Sequence, residues 1–344
     1  MQCQPCCFPS TTKYGRTREK VIRSVGGGVK LDSVKHIGVI GAGMIGGSLA
    51  VLTTGHGYRT TLVVRRAEMI SEYKKTYDGY FRQIIDQGLM SENQLAICAK
   101  YLTYSTSYAD LVDCDVIFEC VPEVIDLKFA IYAQIEATCP SVKAICSVSS
   151  SLVPDCLAEK ATKYKDRIIV THPFNPAHMV PFFELCGGAA TNLAVLQLAS
   201  RLLESLDRKP VILKKPAPGF IGNRLQFALW REALNLVEKG IADPEDVDTC
   251  LNYGFCPRYT SIGIFEHFDN GDLTLNMRTC NSVFPSLSTM TKAPRAITDR
   301  VARGDLGAKT GVGFYDWRGV DMEAYKKRVN APYWRFIDWD MPTE

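Results

Sequence analysis

Apolar positions along this chain fall into two textures. From residue 35 to about 214, short β-branched runs alternate with longer stretches of helical spacing; after Lys214 only the helical spacing remains. Lys35 to Ile40 is a short apolar run stopped by glycine, and Met44 to Thr54 is apolar over a helical length before Gly55 and Gly57 close it. Thr60 to Val64 is β-branched and reads as a second strand. The pattern then predicts a long charged helix over Glu68 to Gln87, a strand over Val116 to Cys120 and a helix over Ile125 to Thr138. Strands follow over Ala144 to Ser147, Ile168 to Thr171 and Phe182 to Cys186, then a helix over Leu193 to Ser205 and a strand over Val211 to Leu213. Such alternation predicts an α/β domain over residues 35–214, with a mostly parallel, doubly wound sheet covered on both faces.

Pro216 and Pro218-Gly219 mark a linker, and a helix over Ile221 to Lys239 begins a second, all-α domain over residues 215–330. Asp243-Pro244-Glu245-Asp246 is a helix start, with a cap, a proline at the first position and acids in the first turn. Residues 1–34 carry Lys13, Arg16, Arg18, Lys20, Arg23 and Lys30 against Glu19 and Asp32, and read as a disordered basic tail; residues 331–344 read as a second tail. The first tail is also open to reading as a mitochondrial presequence, against a cytoplasmic default. No window reaches the roughly 20 apolar residues of a membrane span. The net charge of +3 over 344 residues gives no indication of nucleic-acid or membrane-surface binding. Thirteen cysteines, an odd number and mostly single within apolar stretches (Cys98, Cys120, Cys146, Cys250), suit reduced buried thiols. Cys3, Cys6 and Cys7 sit in the tail with no partner ligand nearby, so no metal site is expected.

Gly41, Gly43 and Gly46 form G-x-G-x-x-G, with Met44 and Ile45 inside the loop, between a strand and a helix. The first glycine permits the tight turn, the second lets the backbone approach a pyrophosphate, and the third lets helix and strand pack closely. This context predicts a Rossmann-like dinucleotide site. An NAD-binding unit places an acid at the end of the second strand for the ribose diol. Here that strand ends Val63-Val64-Arg65-Arg66, with no acid before Glu68. Two guanidiniums suit a 2′-phosphate, so NADP is favoured over the alternative, NAD; a solvated arginine pair is the other reading.

His172, in Thr171-His-Pro-Phe-Asn175-Pro, stands at a strand end, and Glu184 follows twelve residues on across a proline-rich turn. The two could form a general base with its orienting carboxylate, or a hydrogen-bonded structural pair. His178 competes for the role but has no similarly placed acid.

These segments, with Ser147-Val-Ser-Ser150-Ser-Leu152 and Pro218-Gly-Phe-Ile-Gly-Asn223-Arg, resemble the signatures of the 3-hydroxyacyl-CoA dehydrogenase superfamily from about Val34 to Trp317. The resemblance implies His172 as the base for the substrate hydroxyl, Glu184 as the group holding its imidazole, and Ser150 and Asn223 as donors to the reacting oxygen. It implies that Glu123, Lys128, Asn175 and Lys309 lie near the cofactor, although Glu123 and Lys128 also read as a solvated helix start. It further implies a homodimer formed through the helical domain, and a 3-hydroxy or 3-oxo acid, or its thioester, as substrate.

Two departures bear on the substrate. Where members that hold coenzyme A have a serine and a lysine, this chain has Tyr80 and Gln87, and the asparagine of the serine stretch is Val148. The turn Asn175-Pro-Ala-His-Met-Val-Pro181 is similar to the branch containing L-gulonate dehydrogenase, carnitine dehydrogenase and lambda-crystallin, whose substrates are small hydroxy acids. Expected is an NAD(P)-dependent hydroxy acid dehydrogenase; the alternatives are an NAD-dependent L-3-hydroxyacyl-CoA dehydrogenase and a structural protein of the lambda-crystallin type. The aromatic stretch Gly254 to Asp272 reads equally as a substrate lining or as core.

Overall fold

The computed structural model describes residues 31–336. The tail readings therefore lie outside the described residues except at 31–34 and 331–336, and Cys3, Cys6 and Cys7 lie outside them altogether. Leu31 to Val34, counted with the tail by sequence, is packed: the Leu31 amide donates to the Tyr58 hydroxyl at 2.7 Å and Val34 is buried. The described residues divide into two compact units, one comprising residues 31–216 and 333–336, the other spanning Ala217–Pro332.

The first unit runs β1 (His36–Ile40), α1 (Met44–Gly55), β2 (Arg59–Val63), α2 (Ile70–Ile85), α3 (Glu92–Lys100), β3 (Leu102–Ser105), β4 (Val116–Glu119), α4 (Ile125–Thr138) and β5 (Ala144–Ser147). It continues through α5 (Pro154–Leu157), β6 (Ile168–Pro173), β7 (Phe182–Cys186), α6 (Leu193–Ser205) and β8 (Lys209–Ile212). The eight strands form one sheet in the order β3-β2-β1-β4-β5-β6-β7-β8. All neighbours are parallel except β6 and β7. That exception follows from the connection: residues 174–181 suffice for an antiparallel return but not for a parallel crossover of a dozen or more residues.

β1, β4, β5 and β6 are buried at every position, which is why they read as unbroken apolar runs rather than as alternation. Val39, Leu49, Leu62, Phe81, Phe118 and Phe183 belong to one continuous core. β3 is the strand the pattern missed: four residues at the sheet edge, half-exposed, too short to declare a period. The expected helix over 68–87 divides into a 3₁₀ turn, Ala67–Met69, and α2. A capping box between Ser91 and Gln94 starts α3.

The second unit carries α7 (Gly222–Glu238), α8 (Pro244–Cys250), α9 (Ile264–Asp269), α10 (Leu273–Val283), α11 (Arg295–Arg303) and α12 (Met322–Asn330). Its only described strand pairing is a pair of isolated bridges at Gly307–Val312 and Val312–Asp316. Asp243 caps α8 with Pro244 at the first position, as its sequence predicts. Little of this unit is buried: its buried apolar residues are Phe220, Ala233 and Leu234. A cavity of about 780 Å³ opens among Trp230, Val247, Leu251, Ile297, Val301 and Phe314.

All cysteines among the described residues are free; Cys98, Cys114, Cys139, Cys146 and Cys186 are buried, while Cys156 and Cys250 are exposed. Burial pushes the Cys98 and Cys146 thiols up to about 12 and Cys186 to about 11. No helix among the described residues is long and apolar enough to cross a membrane.

Candidate active site

The glycine loop leaves β1 at Gly41, whose φ of 100° lies in the left-handed region that glycine tolerates. A Cβ there would stand 2.8 Å from the Cys120 carbonyl oxygen, and one on Gly46 would stand 1.8 Å from the Gly41 carbonyl oxygen. Both positions are therefore closed to larger residues by backbone. Gly43 differs: a Cβ would meet nothing within 4 Å, so the space above it is open. Gly43 is also the N-cap of α1 and supplies no side-chain cap, which leaves first-turn amides for a ligand. The loop fits a dinucleotide pyrophosphate.

At the end of β2, Val64 is buried and Arg65 and Arg66 are exposed. Glu68 leans on Arg66 at 3.8 Å, an exposed pair beyond hydrogen-bond length and worth little. Along the chain, the first carboxylate after β2 is Glu68.

Glu119 ends β4 and is wholly enclosed. It accepts from Lys128 Nζ at 2.8 and 3.0 Å, the Tyr132 hydroxyl at 2.8 Å, Ser147 Oγ at 2.7 Å and the Val121 amide at 2.9 Å. Lys128 is 0% exposed, and its ammonium also lies 3.5 Å from Glu123 Oε2. This corrects one expectation: Lys128 is enclosed and paired, and is not part of a solvated helix start. Glu123 Oε1 likewise accepts from the serine stretch: from Ser149 Oγ, from Ser151 Oγ at 2.9 Å and from the Ser151 amide at 3.1 Å. Burial alone would raise the Glu123 carboxyl, but the Ser149 and Ser151 donors and the Lys128 charge hold it below the usual range.

β6 and β7 pair with His172 directly opposite Glu184. Cross-strand partners share a face, so the register alone brings imidazole and carboxylate together. His172 Nδ1 lies 2.9 Å from Glu184 Oε2, with both residues buried. Ser150 Oγ lies 3.2 Å from His172 Nε2. With Nδ1–H donating to the carboxylate, Nε2 is left as the acceptor that can take a hydroxyl proton. The Phe174 ring packs edge-on at 5.8 Å from the imidazole, and the Phe182 ring lies 5.7 Å from Phe174. His178, the competing histidine, is buried beside Ser48, and burial followed by the Arg208 charge pushes it down to about 3.

Ser150, His172 and Glu184 are thus brought together, and Asn175 Nδ2 meets the Met44 sulphur in the glycine loop. Asn223, in the first turn of α7, and the exposed Lys309 belong to the second unit. Sequence reasoning missed the Glu119, Tyr132 and Ser147 network; the signal was a lone acid inside the apolar run Val116-Ile-Phe-Glu119-Cys. Within Gly254 to Asp272 no residue is buried: Phe265 is 89% exposed, and the half-buried Phe255, Tyr259 and His267, with Phe268, meet edge-on in pairs.

Residues 36–216 match the family model described as 3-hydroxyacyl-CoA dehydrogenase, NAD binding domain, and residues 219–317 match its C-terminal domain. An L-carnitine dehydrogenase of Oceanobacillus iheyensis is 32% identical over 292 residues, 80% of this chain and 90% of that protein. Another, of Mesorhizobium japonicum, is 31% identical over 240 residues, 69% of this chain and 64% of its own length. The crystal structure of an NAD+-dependent 5-formyl-3-hydroxy-2-methylpyridine 4-carboxylic acid 5-dehydrogenase superposes with a TM-score of 0.78 at 23% identity, over 87% of this chain and 96% of that one.

Proposed function

The chain belongs to the 3-hydroxyacyl-CoA dehydrogenase family, and on that premise we propose that it oxidises a free short-chain 3-hydroxy acid, or reduces the matching 3-oxo acid, with His172 as the general base. The observation that carries this reading is the chain of contacts Ser150–His172–Glu184, at 3.2 and 2.9 Å. In the oxidative direction His172 Nε2 takes the substrate hydroxyl proton, and the buried Glu184 carboxylate stabilises the imidazolium that results. Ser150 hydrogen-bonds the same oxygen, and in the reductive direction it polarises the carbonyl. Asn223 is assigned the same task by its family position. The bound nicotinamide supplies the hydride acceptor.

Gly41, Gly43 and Gly46, with Met44, Ile45 and Asn175, are the residues that fit the cofactor; Lys309 joins them on family position. The family model is named for NAD, but the β2 terminus supports NADP, since it offers Arg65 and Arg66 and no carboxylate. A free acid is favoured over a thioester because Tyr80 is packed against His178, at 4.7 Å between rings, where thioester-binding members have a serine. The L-carnitine dehydrogenases act on a small hydroxy acid by name. A purely structural role would not need an intact Ser150, His172 and Glu184 cluster. The exposed apolar surface of the second unit, including Tyr253, Phe265, Leu273 and Phe284, supports a homodimer.

A spectrophotometric panel of short 3-oxo acids and their coenzyme A esters, each with NADH and NADPH, tests the reading. Free acids with NADPH are expected to give the highest kcat/KM. A value for acetoacetyl-CoA far above that of every free acid removes the substrate assignment, and equal or better use of NADH removes the NADP assignment.

A further inference from the structure

The turn between β6 and β7 is tied to α1 at two points. Asn175 Nδ2 meets the sulphur of Met44, and one helical turn further along α1, Ser48 meets His178 twice. The His178 amide donates to Ser48 Oγ at 2.8 Å, and His178 Nδ1 lies 2.8 Å from the same oxygen. One hydroxyl oxygen thus holds both the backbone and the ring of His178, since a serine Oγ can accept two hydrogen bonds or accept one and donate one. Ser48 and His178 are both fully buried and lie 130 residues apart in sequence.

The other side of the turn is held by Arg208, which follows α6. Its Nη1 donates to the carbonyls of His178 at 3.3 Å and Ala177 at 3.5 Å, and its Nε donates to Leu206 at 3.0 Å. Arg208 is buried, and its Nη2 has no partner among the described residues. Enclosing a guanidinium is costly, and an aliphatic side chain would fill the space without that penalty. What an aliphatic chain cannot do is bond two successive carbonyls of the turn. The Tyr80 ring of α2 covers the His178 imidazole from a third side.

We propose that Ser48, His178 and Arg208 are positioning residues that lock the turn bearing Asn175 onto helix α1, so that affinity for the nicotinamide cofactor depends on this clamp. The proposal rests on the reading that Asn175 faces the cofactor. Cofactor affinity is measured on the full chain by NADPH and NADH fluorescence titration, which needs no substrate. Ser48→Ala removes one oxygen and two hydrogen bonds, and is expected to weaken NADPH binding about 3- to 10-fold. Asn175→Ala is expected to weaken it about tenfold. The double variant should bind no more weakly than Asn175→Ala alone, because the clamp then has nothing to place.

A merely structural role lowers thermal stability equally in both backgrounds and makes the binding losses multiply; that result overturns the clamp while leaving Asn175 at the cofactor. An unchanged affinity in Asn175→Ala overturns both the Asn175 reading and the clamp, and failure of the unsubstituted protein to bind either nucleotide overturns the dehydrogenase reading as well. If Ser48→Ala does not fold, Tyr80→Leu takes its place in the cycle, since it uncovers His178 without removing a hydrogen bond, and the same non-additivity is expected.

Discussion

The two units solve the problem of stability in opposite ways. In the first, four neighbouring strands are buried at every position, and Glu119 with Lys128 and His172 with Glu184 form pairs within this core. In the second, only three apolar residues are buried, two of them on helices, while Tyr253 is 85% and Phe265 89% exposed. A free-standing sheet with helices on both faces can close its own core; a set of short helices with apolar residues turned outward needs another surface. In the first unit the buried polar groups that hold the fold include the proposed base and its carboxylate. In the second, the proposed homodimer would link fold to assembly.

His172→Gln should sharpen this contrast most. General base catalysis is typically worth about 10² to 10⁴ in rate, so kcat should fall by that factor with NADPH affinity nearly unchanged. Retention of more than roughly a tenth of the activity would show that His172 is not the base. His178→Gln should leave far more activity.

Lys128→Met comes next. It strands the enclosed Glu119 carboxylate, and breaking a buried pair costs about 3 to 5 kcal/mol, read as a fall in the urea midpoint. Glu119→Gln in the same chain should restore part of that loss, because the stranded charge is gone. If the double variant recovers stability but loses cofactor affinity, Lys128 acts on the cofactor site as its family position implies.

Replacing Arg65 and Arg66 together by alanine should weaken NADPH binding roughly tenfold and leave NADH almost unchanged, with the difference shrinking as salt rises. Equal losses for both nucleotides would mean that the arginines do not read the 2′-phosphate. The smallest effect on the first unit is expected from Phe265→Glu combined with Phe284→Glu. Sedimentation should shift from dimer to monomer while amide exchange in β1, β4 and β5 stays as slow as before. Faster exchange in those strands would break the distinction between the units.

Much of the first unit was legible because buried parallel strands write themselves as short apolar runs, and because a glycine turn between strand and helix is constrained atom by atom, as at Gly41 and Gly46. His172 and Glu184 were legible as a pair because an eight-residue connection can only return antiparallel, which puts them opposite each other. What stayed hidden depends on contacts between distant segments. Nothing local in Ser48 or His178 announces the two hydrogen bonds between them, and the orientation of Lys128 is set by Glu119, which lies on β4 rather than on its own helix. The surface aromatics of Gly254 to Asp272 misled as possible core because composition alone does not say which side of a short helix meets solvent.

The distribution of thiols gives the molecule a built-in clock. Five cysteines of the first unit are buried, and several of them are held protonated well above neutrality. A maleimide or disulfide reagent attacks the thiolate, so these sites stay silent until that unit opens. Cys156 and Cys250 stand exposed, one in each unit, and label at once. A fast phase at those two positions followed by a slow one at Cys98, Cys114, Cys139, Cys146 and Cys186 would time the opening of the sheet in the native protein.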